Sequence, residues 1–459
     1  MLMRTRQPRR SRRLRWFGRI AAFVFGLAVV ELVLALIDLP ADACQFVSVT
    51  FANDTFAPDP DRFWRLSSTA TKFDVNRLGL RGWWPNDPKT EREYRIACVG
   101  DSCTFGTGVS YTHTYGTRLE QHVQGVLPDR EVRSSLLALP GYSTFQNNVL
   151  LQQNGDELQP DLVVLYCGAW NDYTPAYRFT DAVWAERQAE AAASPHIASL
   201  FRRLTEIGEH LDVEAIMEAF ENGATPHGRR VPLADYRDNL RKMTDWAKAR
   251  GSEVVIVLPP IPPATEAKHP VLLMYRDASR SVAMATGAVL FDANRAIREF
   301  EAGLPKEWQA KGRENPVSFI DWVHPSALGH AVIARSLFTE LVRASVLPGK
   351  ADADTDEAPR NAPTVSLTKS VNKVTLTWTP VANATGYTLY YSDSSDPEAV
   401  QALDLGQVDT FTITLWEGAS FRARVQAYNA LGVGPMSAGL HVDIPSSFAS
   451  VRAGPSSQK

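Results

Sequence analysis

The stretch Arg95-Ile-Ala-Cys-Val-Gly-Asp-Ser-Cys-Thr-Phe-Gly106 sets the fold class. Its first five residues form a short β-rich run that reads as a strand. Gly100-Asp101-Ser102 then makes a tight turn, which leaves a serine at the carboxyl end of the strand. Open parallel sheets bind their ligands at that end. Taken alone, Gly-Asp-Ser fits a turn with a helix-capping serine equally well, so the neighbouring segments have to decide.

From about Glu91 onward, short strand-like runs alternate with longer helical patterns, as a parallel sheet with crossover helices requires. The strands read from the sequence are Arg95 to Val99, Val132 to Leu139, Asp161 to Cys167, Glu253 to Leu258 and Ala288 to Asp292. Helices are expected near Tyr115 to Val126, Phe145 to Asn154 and Leu233 to Arg250, the last stopped by Gly251. Residues 173–230 interrupt the alternation with helix-forming sequence and read as an insertion. It serves either as a lid that shapes the pocket or as a surface subdomain.

Two further segments carry chemistry. Asp321-Trp-Val-His324 puts a carboxylate three residues before an imidazole, just ahead of a helix running through Gly329 to Leu341. A local carboxylate can hold the ring in the tautomer whose far nitrogen takes up a serine proton, and can stabilise the imidazolium that forms. Gly141, after the second strand, and Asn171, after the third, offer a main-chain N–H and a side-chain amide where a developing oxyanion would need donors.

Serine, glycine, asparagine and then Asp-x-x-His, in that order and each at a strand end, resemble the four blocks of the SGNH (GDSL-like) hydrolase family over roughly Arg95 to Leu347. The resemblance implies a flavodoxin-like, three-layer α/β/α domain that acts as a carboxylic ester hydrolase through an acyl-enzyme, with no metal and no cofactor; lipase, lysophospholipase or acyltransferase chemistry at the same site, and a non-catalytic surface scaffold, are the alternatives. It makes Ser102 the nucleophile, His324 the general base and then acid, and Asp321 its orienting carboxylate. The Ser102 N–H, the Gly141 N–H and the Asn171 amide become the oxyanion hole. Asn76-Arg-Leu-Gly-Leu-Arg-Gly82 also looks like the entry segment of membrane-anchored bacterial members. One departure concerns the third block: the family glycine two residues before the asparagine is replaced by Ala169, with a glycine displaced to Gly168.

Toward the N-terminus, Arg4, Arg6, Arg9, Arg10, Arg12, Arg13, Arg15 and Arg19 precede the apolar run Ile20 to Ile37, which only Glu31 interrupts. That run is about 27 Å long as a helix, nearly a bilayer core. The expectation is a signal-anchor over residues 16–39 behind a basic leader, 1–15, with everything after Leu39 extracytoplasmic, in the periplasm or at the cell surface. Ala41-Asp-Ala43 before Cys44 leaves cleavage or lipidation as the competing reading. Residues 40–90 connect the anchor to the hydrolase domain, 91–348.

Beyond it, the acidic, Pro/Ala-rich segment 349–362 reads as a linker. In 363–446 the apolar period drops to two, with Val374, Leu376 and Trp378 alternating against threonines, and Phe421, Ala423, Val425 and Ala427 against Arg and Gln. With Trp378 at a core position, Gly-Tyr387-x-Leu-Tyr and VQAYNALGVGPMS, this block resembles a fibronectin type III domain, which implies an immunoglobulin-like sandwich and a protein or carbohydrate partner. It departs from that family where Leu415-x-x-Gly418 leads to Phe421 in place of a corner tyrosine. Residues 447–459 read as a disordered tail.

The net charge of −3 follows from 48 basic and 51 acidic residues. With the eight leader arginines set aside, the remainder carries about −11, so no basic face on the folded body speaks for nucleic acid. The expected partners are a membrane and an ester-bearing glycan or lipid. Four cysteines, Cys44, Cys98, Cys103 and Cys167, are too few for a disulfide framework or a paired zinc site. The remaining histidines, among them His122, His196 and His330, show no metal-ligand spacing. Trp170 and Trp322 flank the candidate site as pocket lining or as packing.

Overall fold

The computed structural model describes residues 10–37, 55–70, 72–167, 170–176, 179–206, 213–221, 224–225, 228–306, 308–309, 315–347 and 357–446. In chain order the elements are α1 (Arg10–Leu36), β1 (Phe56–Asp59), β2 (Phe63–Leu66), β3 (Glu93–Gly100), α2 (Ser102–Phe105), α3 (Tyr115–Val126), β4 (Glu131–Ala138), α4 (Thr144–Leu158) and β5 (Leu162–Tyr166). There follow α5 (Trp170–Tyr173), α6 (Asp181–Ala193), α7 (His196–Glu206), α8 (Val213–Glu221), α9 (Leu233–Lys248), β6 (Glu253–Leu258), α10 (Pro263–Lys268), α11 (Leu272–Thr286), β7 (Val289–Asp292), α12 (Ala293–Gly303) and α13 (Ala327–Arg343). Strands β8 to β15 occupy Val365–Ser370, Lys373–Trp378, Gly386–Asp393, Asp396–Gly406, Thr410–Thr414, Ser420–Asn429, Gly432–Met436 and Leu440–Asp443. Two compact units result, one of residues 1–67 with 175–228 and one of 68–174 with 229–459.

In the second unit, five parallel strands run in the order β4-β3-β5-β6-β7. Numbered along the sheet's own sequence this is 2-1-3-4-5, the flavodoxin-like arrangement, whose switch point lies between β3 and β5. The apolar runs explain it. Ile96, Ala97, Cys98 and Val99 of β3 and Leu162 to Tyr166 of β5 are all buried, because helices cover both faces. One side of the core joins Tyr115, Leu119 and Val123 of α3 to Ile333, Leu337 and Leu341 of α13.

The observed boundaries refine the expected ones by a few residues: β3 extends to Glu93, α4 to Leu158, and α13 ends at Arg343, before Leu347. Helices α10, α11 and α12 and the β1–β2 hairpin had not been expected. Gly168 and Ala169 lie outside the described residues, as do the leader to Arg9, Cys44 with Ala41 to Ala43, most of the acidic linker and the tail.

The C-terminal domain is all-β, with one antiparallel sheet holding β11-β10-β13-β14 with β15 and another holding β12-β9-β8. Trp378 is buried against Tyr387, 5.4 Å between ring centroids, and the Tyr387 hydroxyl accepts a hydrogen bond from the Val381 N–H at 2.7 Å. This domain packs on α12, α13 and the loop between them. Leu304, Trp308, Val317 and Leu328 share a buried cluster with Tyr390, Val400 and Ala402. The Trp308 indole N–H donates to Ser392 Oγ at 3.0 Å. Arg335 of α13 pairs with Asp404 at 3.1 Å and lies 3.3 Å from the centroid of the Tyr428 ring, whose hydroxyl donates to Asp404 at 2.6 Å.

The first unit contains α1, of which Arg15–Leu36 is long and apolar enough to cross a membrane, together with the hairpin and helices α6 to α8.

Candidate active site

Ser102, Gly141 and Asn171 hang from the carboxyl ends of β3, β4 and β5. Gly100 is sterically required where β3 ends, since a Cβ there would meet Thr104 Oγ1 at 2.2 Å and the Tyr166 carbonyl at 2.5 Å. The chain then turns through Asp101, whose carboxylate caps α2 by accepting from the Cys103 N–H at 2.9 Å. Ser102 opens that short helix, which Gly106 closes in the left-handed conformation at φ 78°.

Across more than two hundred residues of sequence, the loop before α13 brings His324 to this serine. His324 Nε2 lies 2.9 Å from Ser102 Oγ, and its Nδ1 lies 2.7 Å from Asp321 Oδ2. The other Asp321 oxygen accepts from the main-chain N–H groups of Val323 and His324, at 2.9 and 2.8 Å. Burial alone would raise the Asp321 carboxyl. The His324 ring and these two N–H groups outweigh it and hold the carboxyl below its ordinary range. With Nδ1–H directed at a carboxylate, Nε2 is left as the acceptor facing the serine hydroxyl.

Gly141 sits at φ 82°, a conformation open to glycine, and its N–H has no protein acceptor among the described residues. Its carbonyl is held by Arg230 Nη1 at 2.9 Å, while Arg230 Nη2 reaches Gln146 Oε1 at 3.1 Å. Asn171, on α5, directs its amide nitrogen to the Tyr142 carbonyl at 3.0 Å and to Asp101 Oδ2 at 3.2 Å. The structure therefore brings Asn171 to the serine turn with both amide hydrogens already engaged. Burial pushes the Asp101 carboxyl up, against the hydrogen bonds it accepts.

Several contributors were not evident from sequence. Arg81, the sixth residue of the 76–82 segment, is buried and donates to the carbonyls of Phe105, Gly106 and Val109 at 2.8 to 3.0 Å, so the segment braces the serine turn from below. Arg230 acts through a carbonyl far away in sequence, with no local motif to mark it, and the distant bond that Asp101 of the Gly-Asp-Ser turn accepts from Asn171 is equally invisible in sequence. Trp170 and Trp322 pack with tilted rings, 4.5 Å between centroids and 57° between planes, and Trp322 stays 46% exposed, which makes a ledge beside the histidine. His330, behind the site on α13, is fully buried with its Nδ1 accepting from the Tyr115 N–H. Burial pushes its pKa down to about 3.

Cys98, Cys103 and Cys167 are free and buried, and burial raises all three thiols, Cys98 to about 12. None of the three forms a disulfide. Among the described residues, no group of three or more His, Cys, Asp or Glu side chains is arranged to hold a metal ion. A crevice of about 810 Å³ lies at the junction with the β domain, lined by Arg118, Arg295, Arg335, Tyr390 and Asp404 among others, and none of the candidate site residues reaches it.

The profile of the GDSL-like Lipase/Acylhydrolase family matches residues 98–332. Among solved structures, the chain is similar to an α/β hydrolase enzyme from the metagenome of Lake Arreo, Spain, at 18% identity over 56% of this chain and 97% of that one, with a TM-score of 0.37. It is also similar to an acetyl xylan esterase from Geobacillus stearothermophilus, at 18% identity over 54% and 94%, with a TM-score of 0.35. Tyrosine-protein phosphatase Lar of Drosophila melanogaster is 36% identical over 110 residues, which is 21% of this chain and 5% of that protein's length.

Proposed function

The chain belongs to the GDSL-like lipase/acylhydrolase family and hydrolyses esters, and from that premise we propose that Ser102, His324 and Asp321 are its catalytic triad. The observation that carries the reading is the unbroken chain of contacts from Asp321 Oδ2 through the imidazole to Ser102 Oγ, at 2.7 and 2.9 Å. His324 Nε2 takes the serine proton as Oγ attacks the acyl carbon, and Asp321 stabilises the imidazolium. The ester carbonyl oxygen becomes an oxyanion held by the N–H groups of Ser102 and Gly141. Asn171 joins them by turning one amide hydrogen away from Asp101 or Tyr142. Collapse of the intermediate breaks the ester bond, and His324 returns the proton to the departing alcohol. Water, deprotonated by His324, then releases the acyl group from Ser102. No step calls for a metal or a cofactor.

In this reading α1 anchors the protein, with the arginine leader cytoplasmic and the catalytic unit in the periplasm or at the cell surface. The substrate is an ester on a glycan or lipid. O-acetyl groups on polysaccharide or peptidoglycan suit an exported enzyme, and the exposed Trp322 ledge supports sugar or acyl contacts beside the nucleophile. The C-terminal sandwich is read as a fibronectin type III module that takes a protein or carbohydrate partner.

The test is hydrolysis of p-nitrophenyl acetate by the full chain, with Ser102→Ala as control. A fast wild-type reaction that vanishes in the variant is expected. Equal rates in the two proteins would sink the assignment. Protease treatment of spheroplasts checks the orientation, since a C-terminal domain outside the cytoplasmic membrane is cut while that membrane stays sealed.

A further inference from the structure

Glu31 is the acidic residue inside an otherwise apolar helix, and an ionisable group at such a depth persists where it has a partner. Its partner is the start of α7. Glu31 Oε1 accepts from the His196 main-chain N–H at 2.5 Å and lies 2.9 Å from His196 Nδ1, and Oε2 accepts from the Ile197 N–H at 2.9 Å. The carboxylate thus caps a helix of the insertion, satisfying first-turn N–H groups that have no intrahelical acceptor. It also sits favourably at the positive end of that helix's dipole. Among the described residues of α1 from Arg15 on, Glu31 and Leu34, one turn apart, are the ones not exposed, and they mark its covered face.

Depth follows from arithmetic. Glu31 lies five residues before Leu36, the end of α1, so the cap is about 8 Å inside the helix end at 1.5 Å per residue. Amphipathic helices lying in a bilayer interface bury their apolar faces by about 5–10 Å. The sequence of α7, HIASLFRRLTE, carries Ile197, Leu200 and Phe201 at the i, i+3, i+4 spacing of a single face. Ile197 and Leu200 on that face are half-buried, and Phe201 at its outer edge is 65% exposed, whereas α8 buries Ile216 and Phe220.

We propose that α7 is an interfacial helix whose apolar face rests on phospholipid of the leaflet nearest the catalytic unit, fixed at that depth by the Glu31 cap. This rests on reading α1 as a membrane span. The insertion then has a second attachment to the bilayer beyond the anchor itself, and Glu31 serves as its docking point.

The experiment uses the full chain in vesicles of phosphatidylethanolamine and phosphatidylglycerol. The photo-crosslinker p-benzoylphenylalanine is introduced at Phe201 or, on the opposite face, at Ser199, and lipid adducts are counted by mass spectrometry. The expected yield at 201 exceeds that at 199 by about tenfold. In the Glu31→Ala background the yield at 201 falls toward that at 199, while resistance to alkaline carbonate and hydrolysis of p-nitrophenyl acetate stay unchanged. Equal yields at 201 and 199 in a carbonate-resistant protein overturn the interfacial helix and leave the anchor standing. An adduct at 201 that survives Glu31→Ala overturns the cap. Extraction of the wild-type chain by carbonate removes the membrane span and this inference with it.

Discussion

Two polar clusters flank α13, and they differ in what their protons can do. Ahead of its N-terminus, Asp321, His324 and Ser102 form a line in which a proton can pass from hydroxyl to imidazole. Further along, Arg335, Asp404 and Tyr428 are joined as closely, at 3.1 and 2.6 Å. There the guanidinium does not titrate in proteins, and burial pushes the Tyr428 hydroxyl well up. The first cluster is able to change state, and the second only holds two domains together. Hydrogen-bond distance alone does not separate catalysis from fixation; the identity of the proton carriers does.

The sharpest test of that distinction is Ser102→Ala. Hydrolysis should fall by about 10⁴-fold or more, with the melting temperature unchanged in differential scanning calorimetry. The opposite signature belongs to Trp308→Ala at the junction. It removes a buried indole and its bond to Ser392, at a cost of about 3–5 kcal/mol in chemical unfolding, and leaves kcat of the folded fraction intact. A loss of kcat without a loss of stability would erase the contrast. Asn171→Ala probes the boundary between the two kinds of cluster, since its amide is engaged with Asp101 and Tyr142 at rest. As an oxyanion donor it is worth about 10²- to 10³-fold in kcat, with little change in KM. If only the melting temperature falls, Asn171 belongs with the holding groups.

The smallest effect comes from His330. Its folded-state pKa of about 3 lies below the ordinary value near 6.5, so on acidification the unfolded chain takes up its proton first. Stability therefore declines as pH falls from about 6.5 toward 3, by about 1.4 kcal/mol per unit from this group. Denaturation at about pH 5 against about pH 7 should show a drop of about 2 kcal/mol that His330→Asn reduces. An equal drop in the variant would assign the acid sensitivity elsewhere.

Sequence reading reached the parts of the molecule whose signal is local. β3 and β5 are legible because both faces are buried, which leaves an unbroken apolar run, and β6 was placed to the residue. His324 and Asp321 lie three residues apart, so their bond could be inferred from spacing. Helix α10 escaped because the proline-rich segment from Pro259 to Pro263 hides its start. Arg81, Arg230 and Asp101 act on groups brought near by the fold, and a sequence cannot show which carbonyl a guanidinium will meet. The contact of His196 with Glu31 is hidden for the same reason, since Glu31 comes from a helix far upstream.

The three buried thiols have a consequence for how the protein is made. Sealed from solvent and held protonated, Cys98, Cys103 and Cys167 present no thiolate for exchange or oxidation. The folded α/β domain is therefore indifferent to redox poise. It needs no disulfide to mature, and it can be produced in a reducing cytosol without a change in its covalent structure.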